Sequence, residues 1–384
     1  MFRLIVAFGI FAAGGAALAA VPVPPPPPLS AASYVLMDYR TGQILAARDA
    51  DAHRAPASTT KLMTAYVVFQ DLAAGHIRLD TPFTVSENAW REIGSRMFIK
   101  LGSQVSVNEL LQGMLIPSGN DAAMALAEGV AGTEAGFVNM MNADAKKLGL
   151  ANTHYEDPAG LAGDGQYTSA GDLARLARRI IRDYPQYYHY FGQKDFTWNK
   201  IHQTNWNKLL WLDSDADGLK TGYTSDAGYC LVASVKRGNR RMIAVVMGVP
   251  GVSKTDNMAN YRHLAKVTES LVDYGFRFFQ TRKMEDAGKA LAKIRVWKGE
   301  DKYVEAGLAA PLYVTAALGE FPDMKISTHV DANVKAPVAA KQTVGELTVS
   351  ADGKTVARAP LVALKPVAKG GIWAWIRDTV LGWF

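Results

Sequence analysis

Three short runs stand far apart in a chain of 384 residues: Ser58-Thr59-Thr60-Lys61, Ser118-Gly119-Asn120 and Lys220-Thr221-Gly222. Together they hold a nucleophile, a base, a proton relay and a cationic anchor for a carboxylate. A fold that uses them has to gather three distant segments at one cleft. A Ser-x-x-Lys arises by chance about once in a chain of this composition, and Lys-Thr-Gly roughly tenfold less often, so the weight rests on order and context.

Pro56-Ala57-Ser58 precedes a helical pattern (Leu62, Met63, Tyr66, Val67, Phe69, Leu72) that ends at Gly75, which puts Ser58 at or just inside a helix N-terminus. Side chains three apart on a helix are neighbours, so the Lys61 amine reaches the Ser58 hydroxyl and takes its proton if the site lowers the lysine pKa. The helix start adds free N–H groups and a dipole that favour charge developing on a substrate carbonyl. Taken alone, the run also reads as an N-cap serine beside a solvated lysine.

The second run lies between an apolar helical stretch from Leu110 and a small-residue helix from Asp121. Such a turn presents the Ser118 hydroxyl as a relay between Lys61 and a leaving amine, and the Asn120 amide as a clamp on a substrate peptide group. A plain loop uses the same residue types. The third run precedes Gly228–Val235 and Met242–Gly248, which read as buried, paired strands and place Lys220-Thr221-Gly222 on or beside a sheet edge. An edge strand pairs with an extended peptide: Lys220 and the Thr221 hydroxyl would bind a terminal carboxylate, and Gly222 would let substrate approach the backbone. An exposed hairpin with a surface lysine is the alternative.

Taken together the runs resemble those of the penicillin-binding proteins and serine β-lactamases. The flanking sequences Pro-Ala-Ser-Thr-Thr-Lys-Leu-Met-Thr from Pro56, Leu-Ile-Pro-Ser-Gly-Asn-Asp-Ala-Ala from Leu115, Gly-Gln-Tyr-Thr-Ser-Ala from Gly165, Asn205-x-Asn207-x-Leu209-Leu210 and Gly218-x-Lys-Thr-Gly-x-Thr resemble the low-molecular-weight D-alanyl-D-alanine carboxypeptidases, from about Ala31 to the C-terminus. The resemblance implies Ser58 as acylated nucleophile, Lys61 as general base, Ser118 as proton relay, and Asn120 as substrate-amide and framework contact. It implies that Lys220 and Thr221 hold the terminal carboxylate beside Gly222 and Tyr223, with the backbone N–H groups of Ser58 and Tyr223 as oxyanion hole. The implied reaction removes the last D-alanine of a peptidoglycan stem peptide, with β-lactams as covalent inhibitors at the same serine.

Two positions depart from the family pattern. Tyr223 stands where many relatives carry histidine, and Val249-Pro250-Gly251-Val252-Ser253-Lys254 replaces a Gly-Gly-Arg-like run, leaving Lys254 as a substitute cation. Lysine and arginine grip a carboxylate differently, so the change bears on affinity rather than reaction type. A β-lactamase-like acyl hydrolase of the class A kind uses a Glu-x-x-x-Asn pattern, and Glu156-Asp157-Pro158-Ala159-Gly160 lacks the asparagine. D,D-endopeptidase action would use the same groups and stays open.

The lone cysteine, Cys230, lies in an apolar strand and reads as a buried core thiol, and the seven histidines show no metal-ligand spacing, so no metal or cofactor is expected. The net charge of +6 is spread along the chain and suits an anionic wall polymer or lipid surface, with no nucleic-acid footprint.

The length exceeds one usual core. We expect a signal peptide over 1–20, a Pro-rich linker over 21–30, the catalytic domain over 31–283, a small all-β domain over 284–366 and an amphipathic membrane-anchor helix over 367–384. Strands at both ends of a helical stretch from Ser58 to about Asp183 give an α/β fold: a penicillin-binding/β-lactamase-like sandwich with an all-α subdomain and the site at their junction, followed by the small all-β domain and the C-terminal amphipathic helix. The aromatic group Tyr184, Tyr187, Tyr188, Tyr190 and Phe191 reads as core. In a helix, Ile372, Trp373, Trp375, Ile376, Val380, Trp383 and Phe384 share one side, with Ala374, Arg377 and Asp378 opposite. The leader and this tail place the protein across the bacterial cytoplasmic membrane: periplasmic, and attached to the outer face of that membrane.

Overall fold

The computed structural model describes residues 23–381 apart from Ala162, Asp164 and Asp352; the expected signal peptide and the last three residues of the expected anchor helix lie outside the described residues. The chain opens with a hairpin of β1 (Ser33–Asp38) and β2 (Ile44–Arg48), turned at Gly42 with φ of 75°. It then enters a 3-10 turn, Ala57–Thr60, that runs into α1 (Lys61–Ala74). Residues 61–69 of α1 are all buried, so its sequence has no polar face: the helix runs through the middle of the helical layer.

Around α1 stand β3 (Pro82–Thr84), α2 (Glu87–Arg91), β4 (Gln104–Ser106), α3 (Val107–Leu115), α4 (Asn120–Ala131), α5 (Glu134–Leu148) and α6 (Ala170–Asp183). Serine or threonine caps start several of them; Ser106 and Glu109 form a capping box on α3. β5 (Asp195–Trp198), β6 (Ile201–Thr204) and α7 (Leu209–Leu212) lead back to the main sheet through β7 (Ala216–Thr224), β8 (Gly228–Arg237) and β9 (Arg240–Val249), and α8 (Asn257–Phe278) follows, capped by Asp256. The small hairpin β3–β4 interrupts the stretch read as helical and β5–β6 follows it; each is only three or four residues a strand, too short for period-2 alternation to register.

The main sheet is antiparallel in the order β2-β1-β9-β8-β7, with β7 at one edge. One core lies between the sheet and the α1–α6 layer, and a second under α8 on the opposite face. Tyr184, Tyr187, Tyr190 and Phe191 pack their rings around buried Phe69. Cys230 is buried in β8, and burial pushes its thiol up to about 11.

The second domain has its own core, built from Ile294, Val304, Leu347 and Leu361 among others. It contains β10 (Phe279–Glu285), β11 (Ala292–Arg295), β12 (Tyr303–Leu308), β13 (Leu312–Ala317), β14 (Lys325–Val330), β15 (Thr343–Ala351) and β16 (Lys354–Ala363), then α9 (Ile372–Leu381). β10 pairs with β13, and the remaining strands form a sheet in the order β11-β12-β16-β15-β14. The boundary expected at 283/284 falls inside β10, because the chain passes from α8 into this strand without a linker.

The junction between the domains is polar and closed. Buried Asp38 accepts from Thr41 Oγ1 at 3.0 Å and Thr281 Oγ1 at 2.8 Å, and Thr315 Oγ1 lies 2.9 Å from Thr41 Oγ1. The Arg40 guanidinium covers the Tyr313 ring at 4.4 Å.

Candidate active site

The Ser58 turn is squeezed from two sides by backbone that only glycine permits. A Cβ on Gly160, itself at φ of 86°, would lie 1.9 Å from the Ala57 carbonyl oxygen; one on Gly222 would lie 3.0 Å from the Ser58 nitrogen. Gly222 was expected to clear space for substrate. The space it leaves is filled by the Ser58 turn, which is how β7 reaches the serine. Ala57 itself has a positive φ of 47°, strain that the clamp sustains at the site.

Three residues on, Lys61 points back at the serine. Its Nζ lies 2.9 Å from Ser58 Oγ, 2.7 Å from Asn120 Oδ1 and 2.7 Å from the Ala159 carbonyl oxygen. The Asn120 amide orientation is fixed, since its Nδ2 donates to the Ile93 carbonyl at 2.6 Å. Both of the other partners are therefore pure acceptors. A neutral amine gives them its two N–H bonds and keeps its lone pair for the Ser58 hydroxyl. Burial lowers the Lys61 pKa to about 7, against the partial pull of Asp157, Glu92 and Asp121 in the other direction.

Ser118 sits in the turn between α3 and α4 with a positive φ of 67°. Its Oγ is 3.0 Å from Lys220 Nζ, which also donates to the Thr221 carbonyl at 3.0 Å. Burial holds Lys220 well below the usual lysine range, and the Lys61 charge depresses it further. The described partner of Ser118 is thus Lys220, whereas the sequence had it reaching Lys61. Tyr223, next on the edge strand, is half-exposed and stacks on Tyr229 at 4.3 Å. With Ser225, Lys254, Thr255 and Asn257 it lines a cleft of about 780 Å³ at the end of β7. Ser58, Lys61, Ser118, Asn120, Lys220 and Gly222 stand at one junction, and Thr221 and Tyr223 continue along its edge.

Sequence reasoning missed the supports. Asp157 Oδ1 accepts from the backbone nitrogens of Ala159 and Gly160 at 2.6 and 2.5 Å, and its Oδ2 accepts from Gln166 Nε2 at 2.6 Å, so this carboxylate folds the loop that carries the Ala159 carbonyl to Lys61. Asp121, beside Asn120, is fully buried and accepts from the nitrogens of Met97, Phe98 and Ile99, tying the 93–99 segment to the second run. Glu92 heads that segment; burial raises its carboxyl to about 7, with Glu134 and Asp157 adding like charge. A run Asp157-Pro158-Ala159-Gly160 signals a side-chain-closed turn, and that was the readable hint.

Comparison with known proteins agrees with this geometry. Residues 20–290 match the D-alanyl-D-alanine carboxypeptidase family model, and 279–369 match that of the penicillin-binding protein 5 C-terminal domain. The chain is 40% identical to D-alanyl-D-alanine carboxypeptidase DacD of Escherichia coli over 98% of each chain, and 39% identical to DacA of the same organism over 92% of this chain and 87% of that one. The crystal structure of penicillin binding protein 5 from Haemophilus influenzae covers 90% of this chain and 99% of its own, with 40% identity and a TM-score of 0.83. Penicillin-Binding Protein D2 from Listeria monocytogenes, solved in an ampicillin-bound form, is 29% identical with a TM-score of 0.59 and covers 66% of this chain and 100% of its own. The chain therefore belongs to the serine-type D-alanyl-D-alanine carboxypeptidases, the low-molecular-weight penicillin-binding proteins.

Proposed function

We propose that Ser58 is the nucleophile with which this carboxypeptidase removes the terminal D-alanine of peptidoglycan stem peptides. The observation that carries the proposal is the Lys61 amine, 2.9 Å from Ser58 Oγ, oriented by its two acceptor partners and brought down to a pKa of about 7 by burial. Lys61 takes the hydroxyl proton as Ser58 Oγ bonds to the penultimate carbonyl carbon. The backbone amides of Ser58 and Tyr223 are the donors for the resulting oxyanion. The C–N bond to D-alanine then breaks, and its nitrogen takes a proton through Ser118 from the lysine pair. Water next adds to the ester carbonyl, giving a proton to Lys61, and the Ser58–carbon bond breaks as Lys61 returns that proton to Ser58 Oγ, freeing the shortened peptide.

Lys220 and Thr221 receive the substrate's terminal carboxylate. That negative charge favours protonated Lys220, and a cation there in turn disfavours protonation of Lys61. β-Lactams present an acyl group and a carboxylate in the same relation, and we assign them to Ser58 as covalent inhibitors; relatives from Listeria monocytogenes are described in ampicillin-bound and cefotaxime-bound forms. A β-lactamase-like turnover is disfavoured because the bonds described for Asp157 serve its own loop.

No helix among the described residues is long and apolar enough to cross a membrane. We assign the protein to the outer face of the cytoplasmic membrane, held there through α9, on which Ile372 and Trp373 are exposed. The catalytic assignment is tested by following free D-alanine from a D-alanyl-D-alanine-ended peptide. Ser58→Ala is expected to lower release by about 10³-fold or more; unchanged release would sink the mechanism.

A further inference from the structure

A buried carboxylate lies far from the cleft, on the helix assigned to the membrane. The side chain of Asp378 is 0% exposed; its Oδ1 accepts from Arg295 Nη2 at 3.0 Å and its Oδ2 from the Lys298 backbone nitrogen at 2.6 Å. A carboxylate leaves water at low cost only where charge-assisted bonds replace its hydration. Arg295 ends β11 and Lys298 follows it, so these bonds fasten α9 to the second domain. The approach to the helix is fastened as well. Val367 and Val338 exchange backbone bonds of 2.9 Å, Glu300 N donates to Ala368 O at 3.0 Å, and Gly370 N donates to Lys298 O at 2.9 Å. A Cβ at Gly370 would lie 2.6 Å from the Gly299 carbonyl oxygen, so the chain turns into the helix in contact with the domain and without a free linker.

Asp378 falls on the side of α9 opposite Ile372, Trp373 and Ile376, and these three face outward, 71%, 81% and 43% exposed. At its other end the same domain is joined to the catalytic domain through Asp38, Thr41, Thr281 and Thr315. Two fastened joints thus connect the helix to the cleft.

We infer that Asp378 is a clasp: it docks α9 on the second domain by its polar side, turns Ile372, Trp373 and Ile376 toward an anionic phospholipid surface, and so fixes the attitude of the catalytic cleft over that surface. The inference rests on the membrane assignment made above. A bilayer is the occupant because tryptophan and isoleucine on a short helix suit the headgroup boundary, and because Lys365 and Lys369 are exposed on the segment that enters the helix. Asp378 is a positioning residue here, and touches no reacting atom.

Hydrogen exchange on the purified protein without lipid tests the clasp, with Asp378→Asn and Arg295→Gln alongside. Amides 375–380, the ones with acceptors inside the helix, are expected to be protected in the wild type and to exchange about tenfold faster or more in both variants, while β15 and β16 are unchanged. Unprotected amides in the wild type, or equal protection in all three proteins, overturn the clasp whatever the protein does at a membrane. Neutron reflectometry on a supported bilayer of about 3:1 phosphatidylethanolamine to phosphatidylglycerol reads the attitude. The wild type is expected to give one sharp protein profile, and Asp378→Asn a broadened profile at similar bound amount. A sharp profile in the variant overturns the fixed attitude. A wild type that is clasped by exchange yet binds no bilayer, or that buries this face by dimerising, overturns the membrane assignment instead.

Discussion

Lys61 Nζ lies 2.9 Å from Ser58 Oγ, and its two other bonds go to atoms that only accept, Asn120 Oδ1 and the Ala159 carbonyl. The lysine is fully buried and its pKa is lowered to about 7. An ammonium gives one N–H to each of the three oxygens; the neutral amine keeps its two N–H bonds on Asn120 and Ala159 and turns its lone pair to the Ser58 hydroxyl, which is the form that takes the serine proton.

The rate of Ser58 acylation should follow the unprotonated fraction of Lys61. Below its pKa the base is lost about tenfold per pH unit, and above it the rate levels off. Stopped-flow acylation by a fluorescent penicillin between pH 5 and 9 is expected to give a single ascending limb centred near 7. A rate that stays flat across that range would assign the proton elsewhere.

Asp157 pulls the Lys61 pKa upward, so Asp157→Asn should move that limb to lower pH. The same substitution strains the bonds to Gln166 and the loop amides and should cost about 1–3 kcal/mol of stability. The pH profile and the denaturant midpoint separate the two effects. A limb displaced upward would contradict the electrostatic account.

Which parts were legible follows from where the signal sits. The edge position of Lys220-Thr221-Gly222 and the paired strands that follow it were written in local periodicity and turn residues, and each lies within a few residues of its expected place. The lysine–serine neighbourhood followed from helical spacing even though the turn from Ala57 to Thr60 is 3-10 rather than α. What remained hidden is tertiary. No local pattern reports that Gly222 makes room for the Ser58 backbone, that Ala57 and Ser118 adopt positive φ, or that the Ala159 carbonyl closes on Lys61 from a loop far along the chain. Asp378 shows the same limit: amphipathicity placed it on the polar face, but only packing reveals that its carboxylate is buried.

Gly222→Ala places a methyl group 3.0 Å from the Ser58 nitrogen and 3.1 Å from the Pro56 carbonyl oxygen, both backbone atoms with little freedom to yield. β7 must move away from the serine turn. Overpacking of this kind costs about 1–3 kcal/mol, and misplacement at the site about 10–100-fold in acylation rate. Acylation kinetics beside thermal unfolding check this; wild-type kinetics would show that β7 and the turn are not coupled.

Asp38→Ala removes the acceptor shared by Thr41 and Thr281 at the domain junction and leaves these half-buried hydroxyls with Thr315 Oγ1 as their remaining side-chain partner. The expected loss is about 2–4 kcal/mol, centred on the junction. Calorimetry is expected to resolve two transitions in the variant and one in the wild type, because the domains have separate cores coupled through this junction. One unshifted transition would show that the junction carries no coupling.

Ser58 and Ser118 both lie beside a buried lysine, so the identity of the nucleophile is the central point. Trapping the protein with benzylpenicillin, digesting it and locating the adduct by mass spectrometry decides between them. The account predicts an adduct on Ser58 that is absent from Ser58→Ala and retained, though formed more slowly, in Ser118→Ala. An adduct on Ser118, or one that persists in Ser58→Ala, would contradict it.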